Sequence, residues 1–210
     1  MTQTTTIHFV RHGEVHNPDG VLYARLPGFR LSERGQDQAR AAGAALRARP
    51  LAALFSSPQQ RAQETAGFIA AAQAGCPVQT EPLIDEIHTP HAGRPLAELE
   101  AAGWDLYTGI PAGYERPADI LRRTTAFVNR VRAAYAGQEV ATVTHGDVVT
   151  FMILWANGIH VDGTVPEDCP ALLLRLGLPE IYPATASIST FAFASASPDA
   201  VPAFSYLRPY

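Results

Sequence analysis

The sequence predicts a three-layer α/β domain. Short apolar strands alternate with longer segments of helical periodicity along most of the chain. Two of the strands end in the same way, Val10-Arg11-His12-Gly13-Glu14 near the start and Val143-Thr144-His145-Gly146-Asp147 far downstream. A chain of 210 residues is most simply one domain, 1–210, with enough length to bury its own core.

The first strand is Thr6 to Val10, and Gly13 lets the backbone turn sharply behind it. Arg11 and His12 then lie at the carboxyl end of a strand, where open α/β sheets hold their ligands. Asn17-Pro18-Asp19-Gly20 is turn chemistry, and residues 21–30 read as a loop. Ser32 caps a helix running to about Arg49, with Ala39, Ala42, Gly43 and Leu46 on one face. Leu51 to Phe55 is a buried strand. Ser57 then reads as an N-cap and Pro58 as the first residue of a helix that ends near Gly75.

Val78 to Leu83 reads as a further strand, and residues 84–94 as a loop rich in Asp, Glu and His. Leu96 to Ala102 is a short helix, and residues 103–116 are irregular and aromatic. A helix opens at Pro117 and runs to about Tyr135, Glu139 to Thr144 is the second motif strand, and His145 to Asn157 is a helix. Ser187 to Phe193 and Val201 to Leu207 read as late strands around the turn Ser197-Pro198-Asp199.

Composition narrows the chemistry. With 47% hydrophobic and 17% charged residues the chain is globular, and a net charge of −4 argues against nucleic-acid or acidic-membrane partners. Cys76 and Cys169 form no metal or redox motif, which fits a reduced, cytoplasmic protein. No signal peptide is evident, and the apolar stretch 148–156 is too short to span a bilayer. All 16 basic residues are arginine, which removes Schiff-base and Walker-type phosphate chemistry. An anion site here must use Arg, His and backbone N–H groups.

Arg61 points to such a site. It lies near the start of its helix, where a positive charge opposes the macrodipole, and helical side chains lean back toward the amino end. Its guanidinium is therefore expected at the strand-end edge beside His12 and His145. A cation so placed is reasonable when an anion sits beside it; a solvated surface arginine is the plain alternative.

The chain resembles the histidine phosphatase superfamily, the phosphoglycerate mutase-like family. The resemblance rests on Val10-Arg11-His12-Gly13-Glu14, Leu31-Ser32-Glu33-Arg34-Gly35, Ser56 to Thr65 with Arg61, Gly113-Tyr114-Glu115 and Val143-Thr144-His145-Gly146, in that order. It implies a mixed, mostly parallel sheet with helices on both faces. It also implies that His12 is the nucleophile of a phosphohistidine route and that Arg11, Arg61 and His145 bind the phosphoryl oxygens. The backbone of Gly146 is expected to add a donor, and Asn17, one residue earlier than the family's usual asparagine, another.

The family's general acid maps onto Glu86 in Ile84-Asp85-Glu86, with Asp85 as the other candidate. The family's Gly-x-Trp-x-Gly segment is replaced here by residues 88–95, His-Thr-Pro-His-Ala-Gly-Arg-Pro. The mutases' added substrate contacts in that region are not found, and the chain is shorter than most mutases.

The expected activity is therefore hydrolysis of a small phosphorylated metabolite, without metal or cofactor; phosphoglycerate mutase and a non-catalytic phosphate-binding or signalling domain are the alternatives. A metal hydrolase using His12 with His16, or His88 with His91, is a further rival. Leu22, Tyr23, Arg25 and Phe29 are candidates for the mouth that selects the substrate. His88, His91, Trp104 and Tyr107 join them, though loop packing would explain the same residues.

Overall fold

The computed structural model describes residues 4–166, 168–195, 197 and 200–210. Six strands form one sheet in the order β3-β2-β4-β1-β5-β6: β1 (Thr5–Arg11), β2 (Leu51–Ser56), β3 (Val78–Thr80), β4 (Glu139–Thr144), β5 (Ile188–Phe193) and β6 (Ala203–Leu207). The β1–β4, β2–β4 and β2–β3 pairs are parallel, whereas β5 is antiparallel to both β1 and β6. The sheet is thus mixed and mostly parallel, as the family resemblance implied.

Alternation along the strands sorts the core into two layers. Val10, Leu54, Ala141, Val143 and Ile188 face α1 (Glu33–Leu46) and α2 (Gln60–Ala72). Ile7, Phe9, Phe55, Val140 and Phe191 face the opposite way, toward α4 (Pro117–Ala134) and α5 (Gly146–Ala156). Phe9 makes edge-on contacts with Phe127 of α4 and Phe191 of β5. Two shorter helices, α3 (Leu96–Ala101) and α6 (Cys169–Arg175), complete the set. No helix among the described residues is long and apolar enough to cross a membrane.

Ser32 caps α1 as expected, accepting a hydrogen bond from the Gly35 N–H. Several expectations needed correction. Helix α2 starts at Gln60 rather than Pro58 and ends at Ala72 rather than near Gly75, and Ser57 lies outside it. Strand β3 stops at Thr80 because Pro82 opens a 3-10 turn over Pro82–Ile84, which Glu81 caps. Its missing N–H makes proline a poor continuation of a ladder. The last strand begins at Ala203, not Val201; the turn expected at 197–199 lies largely outside the described residues.

The first motif is locked in place by two crossing glycines. A Cβ on Gly13 would lie 2.4 Å from the Gly35 carbonyl oxygen, and one on Gly35 would lie 2.0 Å from that of Glu14. The start of α1 therefore lies directly on the loop that carries His12. We expect Gly35→Ala to lower unfolding free energy by about 2 kcal/mol, the scale of forced overpacking. Urea denaturation followed by circular dichroism measures this.

Candidate active site

The parallel pairing of β1 and β4 sets Arg11 opposite Thr144, so the residues that follow them emerge side by side. The His12 N–H donates to the Thr144 carbonyl at 2.9 Å, tying the two strand ends together. The two imidazoles lie with ring centroids 5.3 Å apart, and both are almost fully buried.

His12 has a defined tautomer. Its Nδ1 is 2.8 Å from the Gly13 carbonyl, which can only accept, so Nδ1 carries the proton and Nε2 the lone pair. Burial lowers its pKa well below 6.5, and Arg61, His145 and Arg11 push it the same way. The ring is therefore neutral near pH 7. Gly13 is held in turn by Thr65, whose hydroxyl accepts from its N–H at 3.1 Å.

His145 stands just before α5, and Nε2 lies 2.7 Å from the Ser57 hydroxyl. Ser57 gives its single hydrogen to Asp85 Oδ1 at 3.0 Å, so it must accept from Nε2–H. Burial also lowers the pKa of His145, against the pull of Glu86. Its Nδ1 lies 3.2 Å from both Arg61 Nη2 and Glu86 Oε2, between a cation and a carboxylate.

Arg61 is the second residue of α2 and only 1% exposed. Its Nη2 donates to the Ala24 carbonyl at 2.8 Å and to Glu86 Oε2 at 3.1 Å. The Tyr23 ring covers it, 4.6 Å from centroid to guanidinium carbon. Arg11 reaches the cluster's edge, donating to the Pro183 carbonyl at 2.6 Å and stacking on Tyr182 at 4.9 Å. The Nε atoms of both arginines are buried and without a hydrogen-bond partner among the described residues. Two orphaned cationic donors are costly unless an anion receives them.

Glu86 comes into this cluster and Asp85 stays behind it. One ring nitrogen of each histidine and a Glu86 oxygen lie within 4.8 Å of one another. Asp85 Oδ1 is instead occupied by Ser57, by the Gln59 amide at 2.9 Å and by the Glu86 N–H at 2.7 Å. Burial pushes Glu86 toward its neutral form, but His145 and Arg61 outweigh it and hold the carboxyl below its ordinary range. A second clamp fixes its backbone: Arg25 Nε and Arg123 Nη2 both donate to the Glu86 carbonyl, and Glu115 bridges the two guanidiniums.

The remaining candidates fall in different places. Asn17 closes its amide on Val21 at both ends, and no described contact joins it to the cluster. Gly146 opens α5 with no room for a side chain, since a Cβ would lie 2.1 Å from the Tyr182 oxygen. Tyr23 packs against both Phe29 and His12. His88 stacks on Tyr114, His91 accepts from Arg94, and Trp104 is 49% exposed.

His12, Glu86 and His145 have a spacing that could hold a metal ion, but Arg61 Nη2 already stands 3.1 Å from Glu86 and 3.2 Å from His145. A fixed guanidinium between the ligands opposes a second cation there. Neither His16 nor His88 nor His91 belongs to a metal-like group among the described residues.

Sequence reasoning missed Ser57, which it took for a helix cap, and the Ala24 carbonyl and Tyr182. Only Ser57 carried any signal, as a polar residue directly after a buried strand.

Comparisons with known proteins give the family and the fold. The profile of the histidine phosphatase superfamily (branch 1) matches residues 7–167. The uncharacterized protein Rv0525 of Mycobacterium tuberculosis is 41% identical over 165 residues, covering 75% of this chain and 81% of that one. A 2,3-bisphosphoglycerate-dependent phosphoglycerate mutase of Beijerinckia indica is 27% identical over 82% of this chain and 88% of its own. Among solved structures, mycobacterial glucosyl-3-phosphoglycerate phosphatase Rv2419c superposes with a TM-score of 0.76 at 22% identity, over 97% of each chain. On the matched profile and the 41% identical relative, the chain belongs to the histidine phosphatase superfamily.

Proposed function

We propose that the protein is a phosphomonoester hydrolase that works through a phosphohistidine on His12 and acts on a small phosphorylated metabolite. The observation that carries this reading is the buried, neutral His12 with its proton fixed on Nδ1 and its Nε2 lone pair free. Such a nitrogen is a competent nucleophile near pH 7.

In the proposed route, Nε2 attacks phosphorus and the bond to the ester oxygen breaks. Arg11, Arg61 and His145 carry the charge on the phosphoryl oxygens, with the Gly146 N–H at the start of α5 as a further donor. Glu86 supplies the proton to the leaving alcohol, then takes one from the water that attacks the phosphohistidine and breaks the N–P bond. His145 and Arg61 hold the Glu86 carboxyl below its ordinary range in this structure, against its burial. A phosphate dianion competes for that guanidinium and adds negative charge nearby, so its arrival raises the Glu86 pKa and lets the carboxyl take up the proton it donates. A cytoplasmic setting is part of the proposal, supported by two cysteines that are both free.

A mutase reading has the Beijerinckia indica relative in its favour. Interconversion of 3-phosphoglycerate and 2-phosphoglycerate, primed with bisphosphoglycerate, tests it; turnover faster than phosphate release would replace hydrolysis as the main activity.

Three outcomes are expected for the hydrolase. His12→Ala lowers kcat with p-nitrophenyl phosphate by about a thousandfold or more, as loss of a nucleophile does. Glu86→Gln still forms phosphohistidine from this ester, whose leaving group needs no proton, but hydrolyses it slowly. Protein quenched in alkaline detergent should then carry a base-stable, acid-labile phosphate; its absence in the variant and in wild type would sink the covalent route. In the pH–rate profile, protonating His12 abolishes attack, and its pKa is lowered from 6.5. Activity limited by His12 therefore holds as pH falls through 6.5 and is lost only at more acid pH.

A further inference from the structure

Asp147, two residues beyond His145, belongs to a small cluster that the proposed steps leave unused. It lies in the first turn of α5. Tyr182 donates its hydroxyl to Oδ1 at 2.6 Å, and Tyr107 donates to Oδ2. The two phenols come from distant parts of the chain, one from the loop after α3 and the other from the segment before β5.

The cluster forms a wall of the phosphate cradle. The Tyr182 ring lies on Gly146, where a Cβ would come within 2.1 Å of the phenol oxygen, and its face carries the Arg11 guanidinium at 4.9 Å. Tyr107 is buried, Asp147 half-buried and Tyr182 37% exposed, so the wall runs from the interior to the surface. An alcohol part that left the phosphoryl group on the Arg11 side would run along this wall.

The hydrogen-bond polarity of the wall decides what it accepts. Each phenol has one hydrogen, and both are given to Asp147. On the three side chains themselves, oxygen lone pairs and one negative charge remain; the Arg11 guanidinium on the Tyr182 face is committed to the Pro183 carbonyl and, in a bound ester, to the phosphoryl group. A carboxylate laid there meets lone pairs and like charge, whereas an ammonium or hydroxyl group meets acceptors. Arg25, a cation of the neighbouring loop, is already paired with Glu115 at 2.9 Å and Asp85 at 3.4 Å.

We propose that Asp147, held by Tyr107 and Tyr182, selects phosphomonoesters whose alcohol part carries hydrogen-bond donors, an ammonium above all, and rejects those bearing a carboxylate. This rests on the reading of the cradle as a phosphomonoester site but not on the covalent step. A brace between two loops and α5 would use the same hydrogen bonds without selecting anything, and the test separates the two.

Calorimetry on the His12→Ala protein, with a phosphate-release assay of the same samples to exclude turnover, measures binding alone and does not depend on the covalent step. The ligands are phosphoethanolamine, glycerol 1-phosphate, 3-phosphoglycerate and inorganic phosphate. The expected order is aminoethyl, then glycerol, then glycerate ester, with about tenfold or more between the extremes, the scale of one close charge contact. Adding Asp147→Asn should compress that span to within about threefold, since the shape is kept and the charge removed. Tyr182→Phe keeps the ring and the carboxylate and should retain the order.

Equal affinity for the extremes, a reversed order, or an order that survives Asp147→Asn overturns the proposal. Failure of all three esters to bind overturns it too. Inorganic phosphate reports on the cradle itself: losing a nearby negative charge should leave its affinity equal or higher. A fall in that affinity identifies Asp147 as a brace and overturns selection.

Discussion

The parallel register between β1 and β4 is the constraint on which the site depends. Arg11 opposite Thr144, with the His12 N–H on the Thr144 carbonyl, fixes the distance between two imidazoles that are 133 residues apart in number. A slip of one residue would turn every side chain of β1 to the other face of the sheet. Ile7 and Phe9 would then leave the layer they share with α4 and α5. The core therefore protects the register, and the register places the rings.

Around that frame the molecule keeps several polar groups in an unfavourable state. Arg61 is buried at the amino end of a helix, beside the His145 ring and against the macrodipole. Glu86 partly compensates it, and the Tyr23 face and the Ala24 carbonyl add to that. The unpartnered Nε atoms of Arg11 and Arg61 remain. Desolvated cations of this kind weaken folding and strengthen anion binding for the same reason, because water no longer competes for them. Stability given up here is available to an anion that reaches these groups.

Support for these groups is layered. Asp85 orders Ser57, Ser57 orders His145, and the Arg25–Glu115–Arg123 cluster fixes the backbone of Glu86. The two neighbouring acids thus have different geometry: one faces the rings, and the other holds what holds them. Nothing in the dipeptide Asp85-Glu86 itself decides which is which. The 3-10 turn that ends β3 early does so, by setting where each side chain points.

Much of this was legible in the chain. His12, Arg61 and His145 each sit at a boundary between elements, marked locally by a glycine or by the first turn of a helix, and local chemistry is what a sequence displays. The layer sequence of strands and helices was legible for the same reason, through periodicity. Glu86 was legible only through the resemblance, since a loop carboxylate has no periodic signature. Ser57 was misread because its local setting is that of a helix cap, while its hydroxyl is committed through space to Asp85 and His145. Tyr182, Pro183 and Ala24 reach Arg11 and Arg61 across the fold, and no spacing rule connects such pairs. The sequence by itself determined that Arg11, His12, Arg61 and His145 would gather at one edge of the sheet. Only the tertiary structure decided their tautomers, their partners and the wall beside them, because hydrogen-bond direction depends on the group that arrives from elsewhere in the chain.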